Sequence, residues 1–183
     1  GKSIGDTVEL EILREGKAAK VKVKLTVPVN HCRLVPHEQY DTEPTYYIAG
    51  GLVFQSLTKD YIDVRMESRD YYSERLFAIL PYYDVGEPTE ERREVVMLAF
   101  VLADEINVGY HDLKDVVISG VNGKKVSSMK DLVREIESSE GKYHVLVDEQ
   151  GKQIVLDKAK TAERNELILK KYKIPADRSE DMK

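Results

Sequence analysis

The sequence is poor in the features that mark membrane spans, disulfide scaffolds and nucleic-acid binders. Its longest apolar run, residues 95–103, is nine residues, whereas a membrane-crossing helix needs about twenty, so no membrane span is expected. There is one cysteine, Cys32. A lone cysteine makes no internal disulfide, so cysteine usage does not report the redox compartment. Positive charge is not in excess: 28 Lys and Arg stand against 33 Asp and Glu, for a net charge of -5 and a sequence pI of about 5.5. Nucleic-acid binders carry a basic stripe that neutralises phosphates, and nucleic acid is therefore excluded as a partner. No run of like charge is long enough to form a solvated tail.

Catalytic and metal-binding patterns are missing too. No serine has the Gly-x-Ser-x-Gly setting of a nucleophile elbow. His31, His37, His111 and His144 are scattered, and His144 alternates with apolar neighbours as an ordinary strand residue. His31, Cys32 and His37 lack the Cys-x-x-Cys and His-x-x-x-His spacings of a zinc site. Gly1-Lys2-Ser3 matches the end of a phosphate-binding loop, but the glycine and strand that would precede it are absent. Glu87, Glu90 and Glu91 read as a solvated face rather than as paired catalytic carboxylates. No catalytic residue, metal or cofactor is expected. The opening residues show neither an initiating Met nor an apolar signal region, and read as the interior of a longer chain.

What is present is strand patterning. Val8, Leu10 and Ile12 alternate with acids, and after Arg14-Glu15-Gly16-Lys17 the residues Val21, Val23 and Leu25 alternate with lysines. Period two around a glycine turn predicts a β-hairpin with one face buried. A hairpin is marginal alone, so its cover is expected upstream. The strand, acidic-Gly-Lys turn and second strand recur at residues 145–156, which fits two related domains in tandem.

Residues 27–44 hold three prolines and little periodicity, and read as a linker. A β-rich stretch broken by two glycines follows, Tyr46-Tyr47-Ile48-Ala49-Gly50-Gly51-Leu52-Val53-Phe54. Tyr72, Leu76, Ile79 and Leu80 predict a helix over 69–80, stopped by Pro81. The apolar run 95–103 reads as a buried strand. Residues 116–126 predict a strand and a tight turn at Asn122-Gly123. Ser128-Met129-Lys130-Asp131 resembles a capping box and opens a helix whose apolar face is Met129, Leu132, Val133 and Ile136. A hairpin over 143–156 and a polar helix over 158–172 complete the chain. The apolar anchors expected on that last helix are few (Ala159, Ala162, Leu167 and Leu169), so it should pack loosely or await a partner.

These pieces resemble a known family. Gly50-Gly51-Leu52-Val53-Phe54 looks like the carboxylate-binding loop of PDZ domains. Residues 116–126, with Val121-Asn122-Gly123, look like a strand-turn of the PDZ domains of Deg/HtrA serine proteases. Residues 46–58 and 101–110 are similar to the second PDZ domain of the plant-type Do-like branch and its bacterial relatives. The resemblance implies an α+β, PDZ-like fold: a small, mostly antiparallel β-barrel or sandwich with flanking helices. It divides the chain into the closing hairpin of a preceding PDZ domain (1–27), a linker (28–44), a second PDZ-like domain with a helical insert (45–157), and a C-terminal helix and tail (158–183).

It also implies a non-catalytic region of a trypsin-like endopeptidase concerned with protein quality control, exported in many bacterial members. The partners implied are peptide or unfolded-protein segments, the protein's own protease domain, and further copies in a trimer or hexamer. The site implied is Gly50, Gly51, Leu52, Val53 and Phe54, whose backbone N–H groups would hold a C-terminal carboxylate. Met129, Leu132, Val133 and Ile136 would line the side-chain pocket. Two readings of these residues stand side by side, a peptide groove and plain core with a glycine bulge. A bulky residue at Gly51 should separate them by abolishing peptide binding without unfolding. The paired tyrosines Tyr71, Tyr72, Tyr82 and Tyr83 suit a subunit contact or a cover over the groove, and a stand-alone module that captures protein C-termini is the alternative function.

Overall fold

The computed structural model describes residues 3, 5–14, 16–26, 33–37, 39, 42–67, 74–82 and 86–183. It divides into two units, Gly1–Cys32 and Arg33–Lys183. His31, Cys32, Tyr71, Tyr72, Tyr83 and the first half of the helix expected over 69–80 lie outside the described residues.

In the first unit β1 (Thr7–Arg14) pairs antiparallel with β2 (Lys17–Lys24), with Leu10 opposite Val21 and Val8 opposite Val23. The hairpin forms as its alternation predicts. Its apolar face is not buried, however: Leu10, Ile12, Val21 and Val23 are all exposed.

The second unit is built on one antiparallel sheet. Its strands are β3 (Tyr46–Ala49), β4 (Leu52–Ser56), β5 (Val96–Val101), β6 (Val116–Val121), β7 (Lys124–Lys125), β8 (Tyr143–Asp148) and β9 (Gln153–Asp157). The order is β3-β4-β5-β6-β8-β9, with β7 paired to β6. The path is open, with β3 and β9 at its ends, so the α+β class holds and the sheet does not close into a barrel.

The apolar run 95–103 is uninterrupted because β5 is covered on both faces. Val96 and Leu98 join a core with α3 (Met129–Glu137). Val95, Met97 and Ala99 join a second core with Leu57, Ile62 and Ile79. Ile62 comes from α1 (Lys59–Glu67) and Ile79 from α2 (Glu74–Ile79). Within the expected linker, Leu34 and Val35 are buried in this same second core. The sequence did not announce α1, because Ile62 is its single buried residue and one anchor leaves no period to read.

α4 (Lys158–Tyr172) spans the predicted residues; of the expected anchors Leu169 packs against the core beneath it, and further side chains hold the helix down. Asp157 caps it by accepting from the Lys160 amide at 3.1 Å. Its buried residues are Thr161 and Ile168, while Leu167 is exposed. Ile168 forms a third core with Ile48, Val53 and Leu102. The helix is therefore docked on the β3–β4 hairpin, not loosely attached.

Candidate functional site

Everything at the site follows from how Gly50 and Gly51 are used. They form the two-residue turn between β3 and β4, with φ of +57° and +82°. Such a turn requires left-handed backbone at both central positions, which glycine adopts without steric cost. The register is Ala49 opposite Leu52, Ile48 opposite Val53 and Tyr47 opposite Phe54. On its other side β4 pairs with β5, with a bulge between Val53 and Phe54. Both edges of β4 are thus hydrogen-bonded within the chain.

The turn is held by two asparagines. The Gly50 amide donates to Asn165 Oδ1 of α4 at 3.0 Å, and Asn165 Nδ2 donates to the Ile48 carbonyl at 3.3 Å. From the opposite side Asn107 Nδ2 donates to the Gly50 carbonyl (2.8 Å) and the Leu102 carbonyl (2.9 Å). Asn107 is fully buried, and its Oδ1 accepts from the Asp104 amide at 2.9 Å. Arg164, one residue before Asn165, clamps the Asp104 carboxylate through Nε (3.2 Å) and Nη2 (2.8 Å). That guanidinium holds the Asp104 carboxyl below the usual carboxylate range, against the opposing effect of burial.

A chain of polar contacts therefore runs from α4 through Asp104 and Asn107 to the glycine turn. The amide that an anion nest would need at Gly50 is already donated inside the fold. Gly51 has no room for a side chain: a Cβ there would lie 2.4 Å from the Leu102 carbonyl oxygen and 2.5 Å from Asn107 Nδ2. A bulky residue at Gly51 strikes backbone, so it perturbs folding and cannot serve as a clean test of peptide binding.

The four α3 residues lie together. Met129, Leu132, Val133 and Ile136 are buried and share one core with Leu52 and Phe54 of β4 and with Tyr47 and Ala49 of β3. Val53 joins Ile48 on the opposite face of the hairpin, as the period of two demands. So eight of the nine residues named from the sequence share one face or its turn, and β3 supplies the side chains opposite α3.

The start of α3 is fixed locally. Ser128 Oγ accepts from the Asp131 amide at 3.3 Å. The reciprocal half of the capping box goes to the neighbour, since Asp131 Oδ2 accepts from the Ser127 amide (3.3 Å) and hydroxyl (2.6 Å). Burial alone would raise the Asp131 carboxyl, but the Ser127 hydroxyl and the Arg93 guanidinium at 2.8 Å hold it down at about 2. Glu94 Oε2 accepts from Ser56 Oγ of β4 (2.6 Å) and from the Met129 amide (3.0 Å), tying the helix N-terminus to the strand.

Asn107, Asn165, Arg164 and Asp104 are not among the residues that the sequence patterns single out for the site. The Asx-like spacing of Asp104 and Asn107 was a legible signal, since short polar side chains that satisfy nearby backbone favour such turns. Nothing local distinguished Asn165 from the other polar positions of α4. Among the described residues no group of three His, Cys, Asp or Glu is placed to hold a metal ion, and no helix is long and apolar enough to cross a membrane.

The chain is similar to known proteins along nearly its whole length. Residues 35–181 match the family described as PDZ domain. The chain is 34% identical to protease Do-like 4, mitochondrial, of Arabidopsis thaliana over 96% of its own length and 30% of the relative. It is 33% identical to protease Do-like 2, chloroplastic, of the same plant over 99% of its length and 28% of the relative. The chain thus spans about three-tenths of the curated relatives it matches.

Proposed function

The chain belongs to the PDZ domain family, homologous to the non-catalytic PDZ regions of Do-like (Deg/HtrA) serine proteases, and on that premise we propose that it serves such a protease in assembly and regulation, with its peptide groove closed from within. PDZ domains bind peptides by adding an extended strand to a sheet edge, with backbone hydrogen bonds giving affinity and pockets giving specificity. The groove we assign is Gly50, Gly51, Leu52, Val53 and Phe54 with Met129, Leu132, Val133 and Ile136. One observation carries the reading: β3 already pairs with the β4 edge and packs Tyr47 and Ala49 into the core shared with α3. A peptide strand at that edge would have to displace β3, whose turn is tied to Asn107 and Asn165. The hairpin Thr7–Lys24 is proposed to close a preceding domain. The partners proposed are the protein's own protease domain and further copies, in a trimer or hexamer.

The test is a fluorescence-polarisation titration of the chain against peptides with hydrophobic C-termini, with amidated versions as controls. No binding up to high micromolar peptide is expected. Binding that disappears on amidation would show an open carboxylate groove and replace this reading with capture of protein C-termini.

A further inference from the structure

β3 has a second edge, and another part of the chain runs along it. Beyond α4 the Ile48 amide donates to the Asp177 carbonyl (2.7 Å) and the Ser179 amide to the Tyr46 carbonyl (3.1 Å). Tyr47 and Arg178 form an antiparallel bridge between these bonds, and the Tyr46 amide donates to Ser179 Oγ at 3.0 Å. The side chains engage as well. The Arg178 guanidinium lies over the Tyr47 ring, 5.0 Å from its centroid, and pairs with Glu137 of α3 at 2.7 Å. The Thr45 hydroxyl donates to Asp181 at 2.6 Å. Met182 packs against the main core and, with Asp181 and Lys183, lines one side of an open cavity of about 380 Å³ whose other side is Lys130, Val133, Arg134 and Glu137 of α3.

These are the contacts of strand addition: backbone pairing to an edge, a basic side chain in an aromatic–acid slot, and an apolar side chain four residues on against a helix. The two candidate occupants of the α3 side are tied differently. β3 is anchored through its clamped two-residue turn. Residues 176–182 follow α4 through Lys173, in left-handed backbone (φ +57°), and Pro175. They pair with β3 through two backbone bonds and bonds from the Tyr46 amide and hydroxyl to Ser179 Oγ and the Ala176 carbonyl; Ser179 is buried, and the other residues are partly buried or exposed.

We propose that the outer edge of β3, with the Tyr47 ring, Glu137 and the Val133 flank of α3, is a peptide-docking site. Its ligand is an extended segment of another protein chain bearing a basic residue and, four positions on, Met or a similar apolar residue. Residues 176–182 are the occupant in cis, a strap that the incoming segment displaces. The proposal rests on the closed-groove reading, because β3 must stay in place to offer its edge.

The probe is a fluorescein-labelled peptide of residues 174–183, capped at both ends. It is titrated against the full chain, the chain truncated after Lys173, and full-length Arg178→Glu. A tethered strap competes at an effective concentration on the order of millimolar, so the truncated and Arg178→Glu chains should bind at least about tenfold more tightly than the full chain. Peptides carrying Arg178→Glu or Met182→Ser should bind at least about tenfold more weakly. If truncation prevents folding, Arg178→Glu alone decides. Its core residues are untouched, and faster hydrogen exchange at the Ile48 amide should report release of the strap. Absence of binding to a chain shown by circular dichroism to be folded, at peptide concentrations of about 1 mM, would overturn the proposal. So would binding indifferent to the Arg178 and Met182 changes. The capped probe has no free carboxylate, so its binding says nothing for a carboxylate groove and the two readings fail separately.

Discussion

Replacing Gly51 by alanine should be far more damaging than the same change at Gly151, although both glycines have nearly the same backbone. Their φ values are +82° and +81°. Left-handed conformation costs a non-glycine residue about 1–2 kcal/mol, and that is the whole expectation for Gly151→Ala, where a Cβ meets nothing within 4 Å. At Gly51 the Cβ falls 2.4 Å from the Leu102 oxygen and 2.5 Å from Asn107 Nδ2. It wedges between the partners of a buried hydrogen bond. Leaving a buried polar group unsatisfied costs about 1–3 kcal/mol, and Asn107 also serves the Gly50 carbonyl. With both the Leu102 and Gly50 carbonyls at stake, the total for Gly51→Ala is then about 3–8 kcal/mol, a large share of a domain stability of about 5–15 kcal/mol. Urea unfolding followed by far-UV circular dichroism and tyrosine fluorescence measures both variants, and a shared slope shows that midpoints report stability. A difference between the two variants below about 1 kcal/mol would refute the argument, since strain alone would then account for both.

Other consequences are equally direct. Asn107→Ala should cost about 2–5 kcal/mol in urea unfolding, because the Gly50 and Leu102 carbonyls and the Asp104 amide all lose a buried partner. Ile168→Ala should cost about 2–5 kcal/mol, as deletion at a fully buried site leaves a cavity under α4; a cost under about 0.5 kcal/mol would mean that the helix is not docked. Burial depresses the His144 imidazole below its usual range, helped by the charge of Lys158. The folded form therefore takes up the His144 proton at a lower pH than the unfolded chain, which does so at about 6.5. Its contribution to stability is complete above that pH and declines as the pH falls below it. Urea midpoints at pH 7.5 and pH 5.5 should fall less in His144→Leu than in the wild type, and an equal fall in both would contradict the assignment.

Much of the chain was legible because its signals are local. The alternation of Val8, Leu10 and Ile12, the Asn122-Gly123 turn with left-handed φ at both residues, the Ser128 cap and the α4 boundaries each depend on neighbours within a few positions. The run around Met97 was legible as a buried strand because both faces are covered. α1 was not, since burial of Ile62 alone leaves no pattern.

The residues of the proposed groove were likewise visible in the sequence, as glycines at a strand and an apolar helical face, and the PDZ resemblance named them as a candidate site. Occupancy was not visible. Whether Gly50 offers its amide to a ligand depends on Asn165, which lies more than a hundred positions away. Whether the β4 edge is open depends on how β3 folds back over Gly50-Gly51. That the edge of β3 is covered in turn depends on Asp177 and Ser179. The sequence by itself determined most of the strands, helices and turns, α1 excepted, because dihedral preference and periodicity act over a few residues. Only the tertiary structure decided which hydrogen-bonding groups are already used, because backbone donors and acceptors are alike along the chain and their pairing is set by what folding brings beside them.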